Sequence, residues 1–175
     1  MTIAMQEGVA PCPVDRAWLD EAVRRIEADY NRSADTHLIQ VPLPRFPGIR
    51  LYLKDESSHP TGSLKHRLAR SLFLYALCNA WIGPDTVVIE ASSGSTAVSE
   101  AYFARMIGVR FIAVVPTATA APKLDAIRFY GGEIHAVDDP RDVVATSRRL
   151  AAATGVLLLH HDALDDIDLA GAHRG

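Results

Sequence analysis

Hydrophobic positions along this chain change period several times, and the changes mark out its elements. Trp18, Leu19, Ala22, Val23 and Ile26 recur at helical spacing behind Asp15, a residue suited to cap a helix, and predict about four turns over 16–30. Residues 31–48 hold four prolines or glycines and read as an extended connector. From Ile49 the pattern alternates. A strand over 49–54 leads to a strongly apolar helix from Leu64 to Ala80, then a strand over 86–91. A helix over 96–107, which Gly108 can end, precedes a strand over 110–115 stopped by Pro116. A helix over 122–130 closes at Gly131 and Gly132, a short strand covers 133–137, and a helix over 141–153 leads to an apolar strand over 156–160. Strands alternating with helices of this length need crossover connections. The expected fold class is therefore α/β, three-layered, with a parallel sheet carrying helices on both faces.

Composition narrows the setting without choosing a function. A chain of 175 residues suits one domain, or one domain plus a fragment. Hydrophobic content of 49% with 22% charged residues is ordinary for a soluble globular protein. A net charge of −3 leaves no strongly basic face for nucleic acid. No apolar run approaches the ~18 residues of a membrane span. The opening segment lacks the basic and apolar regions of a secretory signal, so a cytoplasmic setting is expected. Cys12 and Cys78 sit in unlike contexts and fit no disulfide framework; Cys78, in an apolar helix, reads as core. His160, His161 and His173 among Asp162, Asp165, Asp166 and Asp168 read as a solvated acidic tail rather than a metal site, and no metal is expected.

Two loops carry candidate chemistry. Residues 60–67 read Pro-Thr-Gly-Ser-Leu-Lys-His-Arg, a turn running into a helix that opens on three basic residues. A helix N-terminus carries roughly half a positive charge, so Lys65, His66 and Arg67 break the rule that favours Asp or Glu there. The break has a chemical use: a lysine among positive neighbours and partly desolvated loses its proton more easily and becomes a nucleophilic amine, the form that makes Schiff bases. The second loop, Ala91-Ser92-Ser93-Gly94-Ser95-Thr96, lies between a buried strand and the next helix. Its backbone N–H groups, four hydroxyls and helix dipole suit a carboxylate or phosphate. Both loops have a plain reading too, since Ser and Gly before a helix are common caps and Lys65 can point into water. Both are expected to follow strands of one sheet and to share an edge, where ligands of parallel sheets gather. Neither loop fits a dinucleotide fingerprint, a phosphate-binding P-loop or a hydrolase nucleophile elbow.

Lys54-Asp55-Glu56 followed by Pro60-Thr61-Gly62-Ser63-Leu64-Lys65-His66-Arg67 resembles the cofactor-lysine motif of the pyridoxal-phosphate enzymes of the cysteine synthase and cystathionine β-synthase family, fold type II. Ser92-Ser93-Gly94-Ser95-Thr96 falls where that family keeps its substrate-carboxylate loop, and the order continues through Gly131-Gly132-Glu133. The likeness covers about residues 36–150, and the loop with its flanks looks most like a cysteine-desulfhydrase-like subgroup. It implies pyridoxal 5'-phosphate held as an aldimine on Lys65, with Lys65 then removing the substrate α-proton. By the same resemblance Ser92, Ser93, Gly94 and Thr96 would hold the amino-acid carboxylate and Ser95 would lie against the cofactor ring. Many relatives have asparagine at the Ser95 position, so that contact would lengthen, pass through water or be lost.

The resemblance implies β-elimination on cysteine, releasing sulfide, pyruvate and ammonia. The alternatives are cysteine synthase-type β-replacement on O-acetylserine and, from another class, a non-catalytic folded fragment or interaction module. It implies an amino-acid substrate, no nucleic-acid or membrane partner, and leaves room for a homodimer. The expected organisation is 1–35, an N-terminal segment with one helix; 36–150, the α/β domain with the cofactor lysine and carboxylate loop; and 151–175, the start of a second domain, truncated or divergent. The family's glycine-rich phosphate loop and the hydroxyl near the pyridine nitrogen belong to that second domain and are absent from this sequence. A truncated copy, from a frameshift, premature stop or gene split, is expected to bind the cofactor weakly and to expose apolar faces.

Overall fold

The computed structural model describes residues 15–33, 35–154 and 157–159. Helix α1 spans Arg16–Ser33, and the Trp18 N–H donates to Asp15 Oδ1 at 3.1 Å, the expected cap. Ala22 and Ile26 are buried on its inner face, with Trp18, Leu19 and Val23 packed beside them. Strands β1 (Leu38–Val41) and β2 (Leu51–Lys54) pair antiparallel as a separate two-stranded ribbon. The rest alternates as the periodicity predicts: α2 (Lys65–Cys78), β3 (Val87–Glu90), α3 (Ser95–Ile107), β4 (Arg110–Pro116), α4 (Ala121–Phe129), β5 (Glu133–Val137), α5 (Val143–Thr154) and β6 (Leu157–Leu159).

Strands β3 to β6 form one parallel sheet in the order β5-β4-β3-β6. The central strands β3 and β4 are apolar on both sides, as strands covered on two faces must be. On one face lie α1, α2, α3 and α4, with Phe73, Phe103, Leu77, Val88 and Ile127 in a single core. On the other, Val143 and Ala151 of α5 cover Ile89 and Val114. This is the expected α/β architecture with helices on both faces. Gly108 ends α3 at φ 81°, where its N–H and that of Val109 satisfy the carbonyls of the last turn.

Three expectations need correction. The segment read as a connector contains β1, because its four strand residues find their partner in β2. Strand β2 therefore belongs to the ribbon, not to the parallel sheet that carries β3. Cys78 is exposed rather than core; it is the last residue of α2, where the buried face has already ended at Leu77. Leu38, Ile39, Leu51, Tyr52 and Leu53 of the ribbon are all exposed, and so are Leu64 and Phe129 elsewhere on the surface. Cys12 and the acidic tail lie outside the described residues, and the last predicted strand is described over Leu157–Leu159.

Candidate cofactor-lysine site

The basic triplet at the start of α2 is compensated, but by residues far away in sequence. His66 is fully buried, and its Nε2 lies 2.8 Å from Asp29 Oδ2 of α1. Arg67 Nε donates to Glu56 Oε2 at 2.8 Å, and its Nη2 donates to the Thr36 hydroxyl at 3.1 Å. The first turn of α2 has no acidic residue of its own, so two carboxylates reach it from outside the helix. Lys65 alone of the three keeps a side chain that no hydrogen bond or ion pair engages among the described residues, and it is half-buried. The unmatched charge predicted for three residues is real for one.

Both carboxylates are strongly held. Burial alone would raise the Asp29 carboxyl, but donors from Tyr102, His66 and Arg32 outweigh it and hold it below its ordinary value. Tyr102 donates to Asp29 Oδ1 at 2.7 Å, and burial with that carboxylate pushes the phenol up to about 12. Burial pushes His66 down, against the pull of Asp29. Arg67, then His59 and Thr36, bring the Glu56 carboxyl down to about 2. His59 Nε2 sits 2.8 Å from Glu56 Oε2, and its ring stacks on His66 with centroids 5.1 Å apart. Lys54 Nζ closes the cluster against the Thr36 hydroxyl.

The turn before Lys65 is fixed as firmly. Gly62 takes φ 68°, a left-handed conformation that glycine reaches without the Cβ penalty. The Ser63 hydroxyl accepts from the Lys65 N–H at 3.2 Å, Tyr130 donates to the Pro60 carbonyl at 3.0 Å, and Thr61 Oγ1 lies 2.9 Å from Ser99 Oγ. That last contact joins the lysine turn to the first turns of α3. The two candidate loops follow strands of different sheets, and the lysine turn is tied instead to the body of α3, on which α2 packs.

The serine loop is nearly bare by comparison. Ser92, Ser93 and Gly94 are half-buried, Ser95 is exposed and Thr96 is buried. Gly94 caps α3 with no side-chain bond to the helix, and within the loop the Gly94 N–H donates to Ser92 Oγ at 3.2 Å. An oxygen acceptor at this N-terminus would meet N–H groups that no side chain has claimed. An unengaged amine at Lys65 and an uncapped end on the helix that α2 packs against fit an aldehyde-bearing cofactor and an acidic substrate. The residues present suit the group.

Sequence reasoning missed Asp29, Thr61, Ser99 and Tyr102 as parts of this site. One signal was there: Asp29 continues the stripe of Ala22 and Ile26 on the buried face of α1, where a carboxylate needs a partner. Glu100 carries a similar signal in α3. It is fully buried, neither carboxyl oxygen finds a hydrogen bond among the described residues, and burial followed by the charge of Glu90 pushes it well above the usual carboxylate range.

Comparison with known proteins assigns the architecture. The profile of the family described as pyridoxal-phosphate dependent enzyme matches residues 33–174. The L-cysteine desulfhydrase of Mycobacterium tuberculosis is 57% identical over 151 residues, covering 84% of this chain and 41% of that protein. Cysteine synthase B of Escherichia coli is 36% identical over 87 residues, covering 50% of this chain and 29% of that protein. The crystal structure of O-ureido-L-serine synthase superposes with a TM-score of 0.67 at 26% identity, over 83% of this chain and 44% of that one. A hydrogen sulfide-producing enzyme from Fusobacterium nucleatum shares the fold with a TM-score of 0.67 at 22% identity, over 85% of this chain and 46% of that one. The chain thus spans less than half the length of each of these relatives. With more than half of its residues matched by the family profile, the chain belongs to the pyridoxal-phosphate dependent enzymes.

Proposed function

We propose that this chain supplies the cofactor-lysine part of an enzyme that eliminates the thiol of cysteine, converting cysteine and water to sulfide, pyruvate and ammonia. The observation that carries the reading is the unengaged Lys65 amine at the start of α2, in a turn whose Thr61 hydroxyl meets Ser99 of α3, the helix whose N-terminus no side chain caps. Pyridoxal phosphate, when bound, supplies the electron sink that stabilises negative charge at the substrate α-carbon. Lys65 would hold the cofactor aldehyde and, once displaced by the substrate amine, its freed amine would take the α-proton. Ser92, Ser93, Gly94 and Thr96 would receive the substrate carboxylate through loop N–H groups and hydroxyls. The Ser92 oxygen already accepts from Gly94, so its hydrogen is what remains to donate outward. Ser95, exposed at the first position of α3, would face the cofactor ring with a side chain too short for an amide contact.

Elimination is preferred to replacement because the desulfhydrase relative is similar over far more of this chain than the cysteine synthase. The Escherichia coli likeness supports β-replacement on O-acetylserine as the second reading. Sulfide release from cysteine, compared with acetylserine consumption in the presence of sulfide, decides between them. Lys65-dependent sulfide release is expected to dominate. Faster acetylserine consumption would favour replacement, and equal rates from Lys65→Ala would defeat both. A small amino-acid substrate, a homodimer and a cytoplasmic location complete the proposal; sedimentation of the protein would reveal a monomer if the dimer is wrong.

A further inference from the structure

A line of four side chains, three of them buried and Thr61 half-buried, ties the lysine turn to two other helices, and the proposed chemistry of Lys65 does not yet use it. Asp29 Oδ2 lies 2.8 Å from His66 Nε2, His66 Nδ1 lies 3.1 Å from Thr61 Oγ1, and Thr61 Oγ1 lies 2.9 Å from Ser99 Oγ. His66 and Ser99 are fully buried and Asp29 is 4% exposed. The His66 ring is gripped by His59, Tyr102 and Phe103, with centroids 5.1, 5.2 and 4.8 Å away. The charges and hydroxyls set the donor order. Ionised Asp29 needs a hydrogen on Nε2, which leaves Nδ1 of a neutral ring as an acceptor for the Thr61 hydroxyl. The Thr61 oxygen then accepts from Ser99. With a neutral ring, this order gives each of the four groups a partner.

Thr61 and His66 bracket Lys65 in sequence. Both are anchored, one to α3 and the other to α1, while the lysine between them keeps a side chain without a partner among the described residues. We propose that His66 is a positioning residue for Lys65: through Asp29 and Thr61 it locks segment 61–66 between α1 and α3, so that the amine is presented at a set distance from the α3 N-terminus. The inference rests on Lys65 being the cofactor lysine. Reactivity of a bound group falls steeply with misplacement, and about 1 Å of drift can cost on the order of a hundredfold.

The chain has three lysines, Lys54, Lys65 and Lys123, so selective labelling is a clean readout. The full chain is mixed with pyridoxal phosphate, reduced with borohydride, and the label at each lysine measured by mass spectrometry. Wild-type protein is expected to label Lys65 first. Thr61→Val, which removes one hydroxyl and keeps the shape, is expected to slow Lys65 labelling by roughly tenfold or more, whereas Thr61→Ser restores it to within about twofold. His66→Asn, whose amide oxygen can accept where Nδ1 does, is expected to retain more Lys65 labelling than His66→Phe. Amide hydrogen exchange supplies a readout independent of the cofactor: in Thr61→Val, amides 62–68 should exchange faster while the sheet is unchanged. Wild-type label spread evenly over the three lysines would overturn the cofactor-lysine reading and this inference with it. Selective wild-type labelling with a folded Thr61→Val that labels Lys65 as fast, or exchanges amides 62–68 as slowly, would overturn the inference alone.

Discussion

The N-termini of α2 and α3 face related tasks and are built in opposite ways. At α2 every side chain but one is spoken for: His66 by Asp29, Arg67 by Glu56, Thr61 by Ser99, with Gly62 bent into the left-handed region to make the turn. At α3 the loop of Ser92, Ser93, Gly94 and Ser95 makes one side-chain bond of its own and offers its backbone to whatever arrives. The difference matches what a covalent site and a reversible one require. A nucleophile must be held in place before the reaction, while a carboxylate pocket gains from donors that nothing inside the protein has claimed.

The contrast can be broken by mutation. Asp29→Ala should have the largest effect on stability, about 3 kcal/mol by denaturant unfolding, because it strands the His66 Nε2–H and the Tyr102 hydroxyl in the interior. Ser92→Ala in the open loop should change stability by less than ~0.5 kcal/mol. Equal losses at the two sites would erase the distinction. The glycines give a finer comparison. Gly62→Ala adds a Cβ that meets nothing within 4 Å, so its cost is the left-handed backbone alone, about 1 kcal/mol. Gly94 sits at φ −100° and its Cβ would only touch Ser92 Oγ at 3.8 Å, so Gly94→Ala should stay within ~0.5 kcal/mol.

Acid should act on the α2 end as well, in two stages. His66 is held below its ordinary value, so the unfolded chain takes up a proton more readily than the folded chain, and stability declines as pH falls below about 6.5. Asp29 and Glu56 are held below theirs, so their contributions are whole above pH ~4 and are lost as pH falls through the lowered folded values, about 2 for Glu56. Denaturant midpoints measured across this range should show both declines. His66→Asn should remove the first and Glu56→Gln should reduce the second; a profile unchanged by either variant would contradict the assignment.

Much of this site was legible in the sequence, and what was missed has a common cause. The turn at Pro60–Ser63, Lys65, and the loop from Ser92 to Thr96 are local features, readable from neighbouring residues. So are the end of α3 at Gly108 and the cap at Asp15. The partners that neutralise the basic triplet are not local: His66 meets Asp29 37 residues away, and Arg67 meets Glu56 across 11. The first pair lies beyond any window of helical length, and the second joins two different elements, so neither shows in a periodic pattern. Strand β1 was missed for the same reason, since Leu38–Val41 is defined by its pairing with Leu51–Lys54 rather than by its own pattern. The two loops were expected to meet because of a shared sheet. They follow strands of different sheets, and the contact the fold makes is between the lysine turn and the body of α3, through the hydroxyls of Thr61 and Ser99.

The central claim is that Lys65, whose side chain has no partner among the described residues while His66 and Arg67 beside it are paired, is the residue that holds the cofactor. The visible spectrum of the chain mixed with pyridoxal phosphate, recorded beside that of Lys65→Ala, tests it most directly. The account predicts an absorption band in the wild-type protein that the Lys65→Ala variant lacks while both remain folded. Identical spectra from the two would contradict it.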